Sequence, residues 1–422
     1  MMFEKYDAYK DSGVEWLGAI PEEWSIKPGL VAFSENKRSN KGMVRNTVLS
    51  LSYGKIIIKP EEKLVGLVPE SFETYQLVEP SDIIIRCTDL QNDQTSLRTG
   101  LAKDAGIITS AYLNLNVKQG FDSKYLHYYL HALDTTKVLY KLGSGLRQNL
   151  SFLDFKRLPV LDIALSEQKK ISSFLDQKTS EIDQAIAIKE QQIALLNERK
   201  QIVIQKAVTQ GLDPNVPMKD SGVEWIGQIP EHWETYFNRR LFRENSRPVK
   251  GDELPLSLSQ KDGVIPSGEM KERSLSPSHR NNFKLCFPND LVVNRFKGHL
   301  GVFFQSNYTG IVTFHYGVFE PAKNVYTKYF ELLYHTEQYK TLYAGASNGM
   351  SIGLQNLSNL NFYRIKSIVP PLEEQKLICE YADKVENEHN NLIQKLESQI
   401  EKLKEYKTTL INDAVTGKIK VA

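Results

Sequence analysis

Residues 10–24 read KDSGVEWLGAIPEEW, and residues 219–233 read KDSGVEWIGQIPEHW. Twelve of the fifteen positions are identical at an offset of 209 residues, which chance does not supply. A repeat of this length in a chain of 422 residues indicates internal duplication. The period is too long for a solenoid. It predicts two similar lobes related by a pseudo-twofold axis.

Three further matches extend the duplication toward the end of each copy, all at an offset of 207 residues. They are Gln148-Asn149-Leu150 with Gln355-Asn356-Leu357, Glu167-Gln168-Lys169 with Glu374-Gln375-Lys376, and Ala207-Val208-Thr209 with Ala414-Val415-Thr416. The constant offset excludes an insertion or deletion between them. Such strict spacing is typical of a long helix, because one inserted residue would rotate its apolar face by about 100°.

The periodicity of these regions predicts two long helices. In the second copy Leu396, Leu403 and Leu410 lie seven residues apart, and Leu392 and Tyr406 are the predicted companion positions of the seam. The first copy has a similar rhythm at Ile182, Ile186, Ile193, Leu196, Val203 and Ala207. Each helix would span about 60 Å for roughly forty residues. Neither has enough apolar surface to be stable alone, so we expect them to pair antiparallel.

Residues 25–147 and 234–354 have a different character, with short β-branched and aromatic runs separated by turn residues. They predict two compact, mainly antiparallel β-rich segments, each followed by a helix near residues 123–133 or 327–337. Matching stretches identify the two segments as diverged copies. These stretches are Leu49-Ser50-Leu51-Ser52 with Leu256-Ser257-Leu258-Ser259, Pro80-Ser81-Asp82-Ile83 with Pro288-Asn289-Asp290-Leu291, and Gly106-Ile107-Ile108-Thr109 with Gly310-Ile311-Val312-Thr313.

Composition excludes several classes of protein. The chain is 41% hydrophobic and 25% charged, as expected for a globular protein, and its net charge of +2 requires any nucleic-acid surface to be local. Three widely separated cysteines indicate a reducing compartment and match neither a disulfide framework nor a zinc pattern. We found no signal peptide and no long apolar run, so we expect a cytoplasmic protein without a membrane segment.

Each copy consists of an opening box (residues 10–24 or 219–233), a variable segment and a long helix. This arrangement resembles that of the specificity subunit of type I restriction–modification systems. The likeness rests on both GVEW boxes, the stretch Leu146-Arg147-Gln148-Asn149-Leu150, the two Glu-Gln-Lys helix starts and the two Ala-Val-Thr helix ends, and it covers essentially the whole chain. One departure is Ile163-Ala164, where the family usually has a proline pair like Pro370-Pro371.

The resemblance implies an α+β fold in which two β-rich target-recognition domains are separated by a pair of long antiparallel coiled-coil helices. The corresponding domains are residues 1–147 (target-recognition domain 1), 148–212 (first conserved helical region), 213–354 (target-recognition domain 2) and 355–422 (second conserved helical region). Each target-recognition domain would read one half of a bipartite, asymmetric site in double-stranded DNA. The expected partners are two modification (methyltransferase) subunits and, through them, restriction (motor-nuclease) subunits. S-adenosylmethionine, ATP and Mg²⁺ are expected on those partners, with no cofactor and no metal in this chain.

The absence of catalytic motifs agrees with a subunit that is not an enzyme. The sequence has no phosphate-binding glycine loop, no G-x-G-x-x-G and no methyltransferase Asn/Asp-Pro-Pro-aromatic motif. His127 and His131 are spaced i, i+4 but lack the glutamate of a zincin pair, so we interpret them as a structural pair rather than a metal site. The four tryptophans all lie in the repeated boxes. We interpret them as scaffold or subunit contacts rather than base-stacking platforms, because the two domains would read different targets.

Basic residues indicate candidate DNA contacts. The segment from residue 237 to residue 300 has twelve Lys or Arg against seven Asp or Glu, a local excess of five positive charges. Arg86 and Arg295 each follow a β-branched run, where a guanidinium could bind a guanine edge or form an internal salt bridge, for Arg86 with Asp89 or Asp93. Lys37, Arg38, Lys41 and Arg45 lie in a loop suited to phosphate contact. The full set of candidates is Lys37, Arg38, Lys41, Arg45, Arg86, Arg98, Lys261, Lys271, Arg273, Arg280, Arg295 and Lys297.

These observations predict a non-catalytic, sequence-specific DNA-recognition subunit of a type I restriction–modification complex. The alternative from another class is a coiled-coil scaffold whose two β-rich lobes bind protein or glycan.

Overall fold

The computed structural model describes residues 3–60, 62, 71–93, 95–143, 149–244, 247–250, 252–270, 283–347 and 356–421. Its contacts divide the chain into two units. Unit 1 comprises Met1–Glu190 and Glu397–Ala422, and unit 2 comprises Gln191–Leu396. Each unit therefore contains one β-rich segment and parts of both long helices. The boundaries at 147/148, 212/213 and 354/355 stay predictions about function, since the units divide the chain at other positions.

The order of strands is the same in both copies, and the helices correspond except that the second copy has a short α-helix, Asn238–Leu241, where the first has the 3-10 turn Gly29–Val31. The strands of the first copy are β1 Tyr9–Asp11, β2 Ala19–Pro21, β3 Ser25–Pro28, β4 Phe33–Glu35, β5 Leu49–Ser52, β6 Lys55–Ile58, β7 Gln76–Val78, β8 Ile83–Arg86, β9 Thr99–Leu101, β10 Gly106–Ile108, β11 Tyr112–Val117 and β12 Pro159–Asp162. Its helices are α1 Ser123–Thr135, α2 Val138–Leu142, α3 Phe152–Arg157 and α4 Leu165–Gln210.

The second copy repeats this order. Its strands are β13 Met218–Asp220, β14 Gln228–Pro230, β15 Glu234–Phe237, β16 Phe242–Glu244, β17 Leu256–Ser259, β18 Gly263–Pro266, β19 Lys284–Cys286, β20 Leu291–Asn294, β21 Phe303–Gln305, β22 Gly310–Val312, β23 Tyr316–Pro321 and β24 Lys366–Val369. Its helices are α5 Asn238–Leu241, α6 Thr327–Tyr334, α7 Glu337–Ala346, α8 Asn359–Arg364 and α9 Leu372–Val415.

The strand pairing is equivalent in the two units. Each has a four-stranded antiparallel sheet, in the order β4-β11-β8-β9 in unit 1 and β16-β23-β20-β21 in unit 2. Two-stranded pairings also correspond, β5 with β6 to β17 with β18, and β7 with β10 to β19 with β22. The predicted α+β fold with an internal repeat is confirmed.

Each four-stranded sheet lies between two apolar cores, which explains its uninterrupted β-branched runs. In β8, Ile83 and Ile85 face the large core beneath α1, whereas Ile84 faces a smaller core formed with β5 and β6. In β20, Val293 faces the helix side and Val292 faces the hairpin side. Successive side chains of a strand point to opposite faces, so a strand covered on both sides is apolar throughout.

Glycine is required at the equivalent positions 106 and 310, because the backbone of a neighbouring segment lies too close for a side chain. A Cβ on Gly106 would lie 2.6 Å from the carbonyl oxygen of Thr47, and one on Gly310 would lie 2.4 Å from that of Leu254. Both glycines begin a strand that is buried in its own unit. The Gly-Ile-(Ile/Val)-Thr match between the copies therefore reflects packing.

Within each unit the segments of α4 and α9 run antiparallel, as expected. In unit 1, Lys407 Nζ lies 2.7 Å from Asp183 Oδ1, and Lys189 Nζ donates to Gln399 Oε1 at 2.6 Å. In unit 2, Lys200 Nζ donates to Asn390 Oδ1 at 3.3 Å, and a Cβ on Gly211, directly after α4, would lie 3.2 Å from Oε1 of Glu374 near the start of α9. In these contacts the residue number in α9 decreases as the residue number in α4 increases. Each pairing is therefore antiparallel.

The predicted seam needs correction in the second helix. Leu410 and Ile400 are buried, and Leu403 packs against the core of unit 1, but Leu392 and Tyr406 are 47% and 45% exposed. The companion position after Leu403 is Lys407, whose ammonium pairs with Asp183. In the first helix the predicted apolar positions are all buried or half-buried. That helix begins at Leu165, and α9 begins at Leu372, directly after Pro370-Pro371.

In the described part of the chain, none of the helices has the length and apolarity that would let it cross a membrane.

Candidate nucleic-acid interface

The loop that follows β8 is organised by Arg98, which was predicted to contact DNA. Its side chain is fully buried, and its guanidinium donates to the carbonyl oxygens of Thr88 at 2.8 Å and Asp89 at 3.1 Å. It also donates to the carbonyls of Arg86 and Asp93 and to the hydroxyl of Tyr140. Because its donors are already directed at loop carbonyls, the prediction for Arg98 is wrong: the residue holds the loop from inside.

Arg86 forms the internal salt bridge that was one of its two predicted roles. Its Nη1 lies 3.0 Å from Asp93 Oδ2, and about a third of its side chain is exposed. Hydrogen bonds from the backbone and side chain of Ser96, together with the charge of Arg86, lower the pKa of Asp93 to about 2. Arg86 therefore stabilises the same loop that Arg98 supports, while part of its side chain stays exposed.

Arg295 in unit 2 is equivalent to Cys87 in unit 1. The amide of Leu150 donates to the carbonyl of Cys87 at 2.9 Å, and the amide of Leu357 donates to the carbonyl of Arg295 at the same distance. The same backbone position thus carries a buried thiol in one unit and a guanidinium in the other. This difference lies directly beyond the central strand of each sheet.

Glu244, which the sequence analysis did not single out, anchors Arg295. Its Oε1 accepts from Arg295 Nη2 at 2.7 Å and from Lys284 Nζ at 2.8 Å, and its Oε2 accepts from the Nδ2 of Asn359. Arg295 Nε is buried and has no hydrogen-bond partner among the described residues. The internal salt bridge is therefore formed, as for Arg86, and the Nε–H of Arg295 is left without an acceptor among the described residues.

The basic loop before β5 is largely tied to acids of its own unit. Lys37 Nζ lies 3.0 Å from Glu35, and Arg45 donates to Glu79 at 2.8 Å and to the carbonyl of Val78 at 2.9 Å. Arg38 donates to Asn36 at 3.0 Å and lies 3.8 Å from Glu79 and Asp82. Within the described ranges only Lys41 of these four has no ion pair, and its side chain is exposed.

A repeated buried aspartate explains much of this network. Asp82 accepts from the amide of Glu79 at 2.9 Å, and Asp290 accepts from the amide of Phe287 at 2.8 Å, so each closes the turn before its central strand. Arg247 pairs with Asp290 in unit 2. Sequence reasoning counted Arg247 only as part of a charge excess. The signal available was its offset of 209 from Arg38, combined with the repeated Pro-x-Asp stretch.

The other candidates lie on turns and short helical segments. Lys261 is exposed in the turn between β17 and β18, and Lys297 is exposed in the 3-10 segment Arg295–Leu300. Lys271, Arg273 and Arg280 lie outside the described residues. Of the nine candidates in the described ranges, five are tied to carboxylates of their own unit, Arg98 is buried, and Lys41, Lys261 and Lys297 are exposed without an ion pair there.

The two histidines of α1 are half-buried beside the core of unit 1. The rings of His127 and His131 lie 6.2 Å apart, and burial lowers the pKa of His127 to about 3 and that of His131 to about 4. Both are therefore neutral at pH 7. No group of three potential metal-ligating side chains occurs among the residues described.

The repeated tryptophans contact the start of the long helices. Trp24 Nε1 donates to Glu167 at 3.3 Å, and Trp233 Nε1 donates to Glu374 at 3.0 Å. Both indoles are buried, so the interpretation as scaffold is confirmed for them. This contact also explains why the box and the Glu-Gln-Lys stretch recur together.

Comparison with known proteins connects this geometry to a family. Residues 230–402 match the family model described as type I restriction modification DNA specificity domain. The chain is 23% identical over its whole length to 99% of the putative type I restriction enzyme MjaX specificity subunit of Methanocaldococcus jannaschii. It is 25% identical to the type I restriction enzyme MjaVIII specificity subunit of the same organism, over 75% of each chain.

Solved structures share the fold. A chain from a study of complex assembly and conformational transition of the type I R-M system superposes with a TM-score of 0.65 at 12% identity, covering 94% of this chain and 98% of that one. The HsdS subunit from Thermoanaerobacter tengcongensis superposes with a TM-score of 0.52 at 14% identity, covering 95% and 98%. The comparisons do not favour the alternative of a protein- or glycan-binding scaffold. The family model thus matches most of the second copy, and the chain is similar over its whole length to a putative type I restriction enzyme specificity subunit.

Proposed function

We propose that this chain is the non-catalytic DNA-recognition subunit of a type I restriction–modification complex. Each β-rich domain reads one half of a bipartite site and directs partner methyltransferase and restriction subunits to it. The observation that carries the proposal is one scaffold built twice with different side chains at equivalent positions, as at Cys87 and Arg295. A duplicated fold with unequal reading positions suits a site whose halves differ in sequence.

Exposed cations support duplex DNA as the ligand. Binding to DNA gains free energy when lysines and arginines displace counterions from the phosphates, so the useful cations are those not neutralised within the protein. Lys41 in unit 1 and Lys261 and Lys297 in unit 2 are exposed and have no ion pair in the described ranges. We assign phosphate contact to these three and a base contact to the anchored Arg295.

Surface positions repeated in both units support two copies of one partner. Leu153 of α3 and Leu360 of α8 are equivalent at the offset of 207 and are 51% and 57% exposed. Arg157 and Arg364 are likewise equivalent and exposed. Because neither pair is needed for the core, we assign these surfaces to two modification subunits, through which restriction subunits join. We place S-adenosylmethionine, ATP and Mg²⁺ on those partners and the complex in the cytoplasm.

The proposal is tested by co-producing the full chain with its methyltransferase subunit and mapping methylated adenines across the genome. A bipartite asymmetric motif that disappears without this chain is the expected result. Replacing residues 25–147 with those of a relative should change one half of the motif and leave the other unchanged. Change in both halves, or methylation independent of this chain, would contradict the proposal.

A further inference from the structure

The hairpin of β5 and β6 has an unusual residue at its tip. Ser52 pairs with Lys55, so Tyr53 and Gly54 form a two-residue turn. Their φ angles are +47° and +74°, both in the left-handed region. Positive φ at both central residues is the geometry of a type I′ turn, whose preferred sequence is Asn-Gly or Asp-Gly.

Tyrosine is poorly suited to this turn. An L-residue with a bulky side chain loses about 1–2 kcal/mol in the left-handed region because its Cβ approaches the following carbonyl oxygen. Tyr53 is also 92% exposed, and the described structure gives its ring and hydroxyl no partner. Neither turn preference nor packing in unit 1 accounts for an aromatic residue here.

The hairpin that carries Tyr53 is anchored on one face and suited to DNA on the other. Ile56 is buried in the small core of unit 1, and its cross-strand neighbour Leu51 packs against that core. Residues 41–60 contain four basic residues and no acidic residue. Of these, Lys55 lies beside the tip and is exposed. The outward face therefore combines an aromatic tip with positive charge on a rigid base.

The equivalent hairpin of unit 2 has the same strand and a different tip. β17 has the same sequence, Leu-Ser-Leu-Ser, as β5. The turn after it has three residues, Gln260-Lys261-Asp262, in place of Tyr53-Gly54. The buried strand positions are thus retained while the tip differs in length and chemistry, as expected for an element that reads a different target in each unit.

We propose that the β5–β6 hairpin enters the major groove of one half-site and that Tyr53 is a specificity-determining residue there. The proposal rests on the proposed function and names the element that reads in unit 1. The major groove accommodates a two-stranded β-ribbon, and thymine presents a methyl group that an aromatic ring can contact. Tyr53 packs its ring against such base edges, while Lys55 and Lys41 contact the flanking phosphates.

The substitution Tyr53→Asn separates reading from folding, because asparagine is a preferred residue at this turn position. In the full chain assembled with its methyltransferase subunits, Tm should stay equal or rise. Discrimination at one or two positions of a single half-site should fall about tenfold, the scale of a mismatched base pair. The other half-site should be read as before. Competition binding with single-base variants of the duplex and methylation mapping measure both effects.

Tyr53→Phe is the matched control, since it keeps the ring and should preserve discrimination. Unchanged selectivity in Tyr53→Asn, a lower Tm in that variant, or an equal loss in Tyr53→Phe would each overturn the proposal. Failure of the proposed function is separate: in that case the wild-type complex itself would show no bipartite motif.

Discussion

Arg98→Ala tests whether this buried arginine is structural. The substitution leaves the carbonyls of Arg86, Thr88, Asp89 and Asp93 without their charged donor. A buried acceptor without a partner costs about 1–3 kcal/mol, and removing one member of a buried charged network costs about 3–5 kcal/mol. Because part of this loop can admit water after the change, we expect the loop to lose about 3–5 kcal/mol rather than the sum over all contacts.

Hydrogen exchange measures this loss locally, which matters because a chain with two units does not unfold in one two-state transition. The amide of Arg86 donates to the carbonyl of Arg98 at 2.9 Å and reports on the loop. If the free energy of local opening falls by 3 kcal/mol, amide exchange through that opening becomes roughly 100-fold faster, since each 1.4 kcal/mol is a factor of ten. Arg86→Ala is the matched control. It removes one partly exposed salt bridge and should cost about 0–1 kcal/mol.

If Arg98→Ala left amide protection of residues 86–93 unchanged but weakened duplex binding, the arginine would be a DNA contact after all. A loss of DNA binding that accompanies loss of protection would instead follow from collapse of the loop.

Arg295→Ala should cost roughly 1–3 kcal/mol of base discrimination in one half-site. Lys41→Ala should weaken binding to all duplexes alike and reduce the slope of log K against log salt concentration by about one. An equal loss of affinity on every duplex for Arg295→Ala would mean that Arg295 does not read bases. Burial lowers the pKa of His131 to about 4, below the unfolded value near 6.5, so the unfolded chain binds the proton first and stability falls as pH decreases from 6.5 toward 4. By pH 5.5 the loss should be about 1.4 kcal/mol in urea titrations, and His131→Gln should remove that part of the pH dependence. Gly310→Ala should destabilise unit 2 by about 1–3 kcal/mol in thermal unfolding, because the new Cβ would lie 2.4 Å from a carbonyl oxygen. The control Gly345→Ala has open space around it in α7 and should be neutral or stabilising by up to about 1 kcal/mol.

The fold was predictable because the duplication and the periodicities are strong signals. The run at residues 83–85 predicted a strand, and the leucines at 396, 403 and 410 predicted a helix that the structure places at Leu372–Val415. Hydrophobicity alone did not identify which residues of α9, besides these leucines, face the other long helix. Tyr406 is the more apolar choice, yet Lys407 occupies the seam, where its side chain is 27% exposed and its ammonium lies 2.7 Å from Asp183.

The candidate site was predictable only in part, since a basic residue in a loop does not reveal which way the loop folds. Arg98 and Lys41 are equally basic in the sequence, but the first is enclosed by the carbonyls of its own loop and the second is exposed. Glu244 was missed because an isolated glutamate carries no pattern. Its role follows from strand β16, which brings it beside Lys284 and Arg295.

The two units differ where a change costs the scaffold least. Asp82 and Asp290 close equivalent turns, and Gly106 and Gly310 meet equivalent carbonyls, so these positions are restrained in both copies by contacts inside their own unit. The residue after the central strand is held in both copies through its backbone, by the bond to Leu150 or Leu357, while its side chain differs between the copies and has different contacts in each. Target reading can therefore diverge at loop ends and hairpin tips while the sheet stays intact. A new specificity then requires few substitutions and little loss of stability.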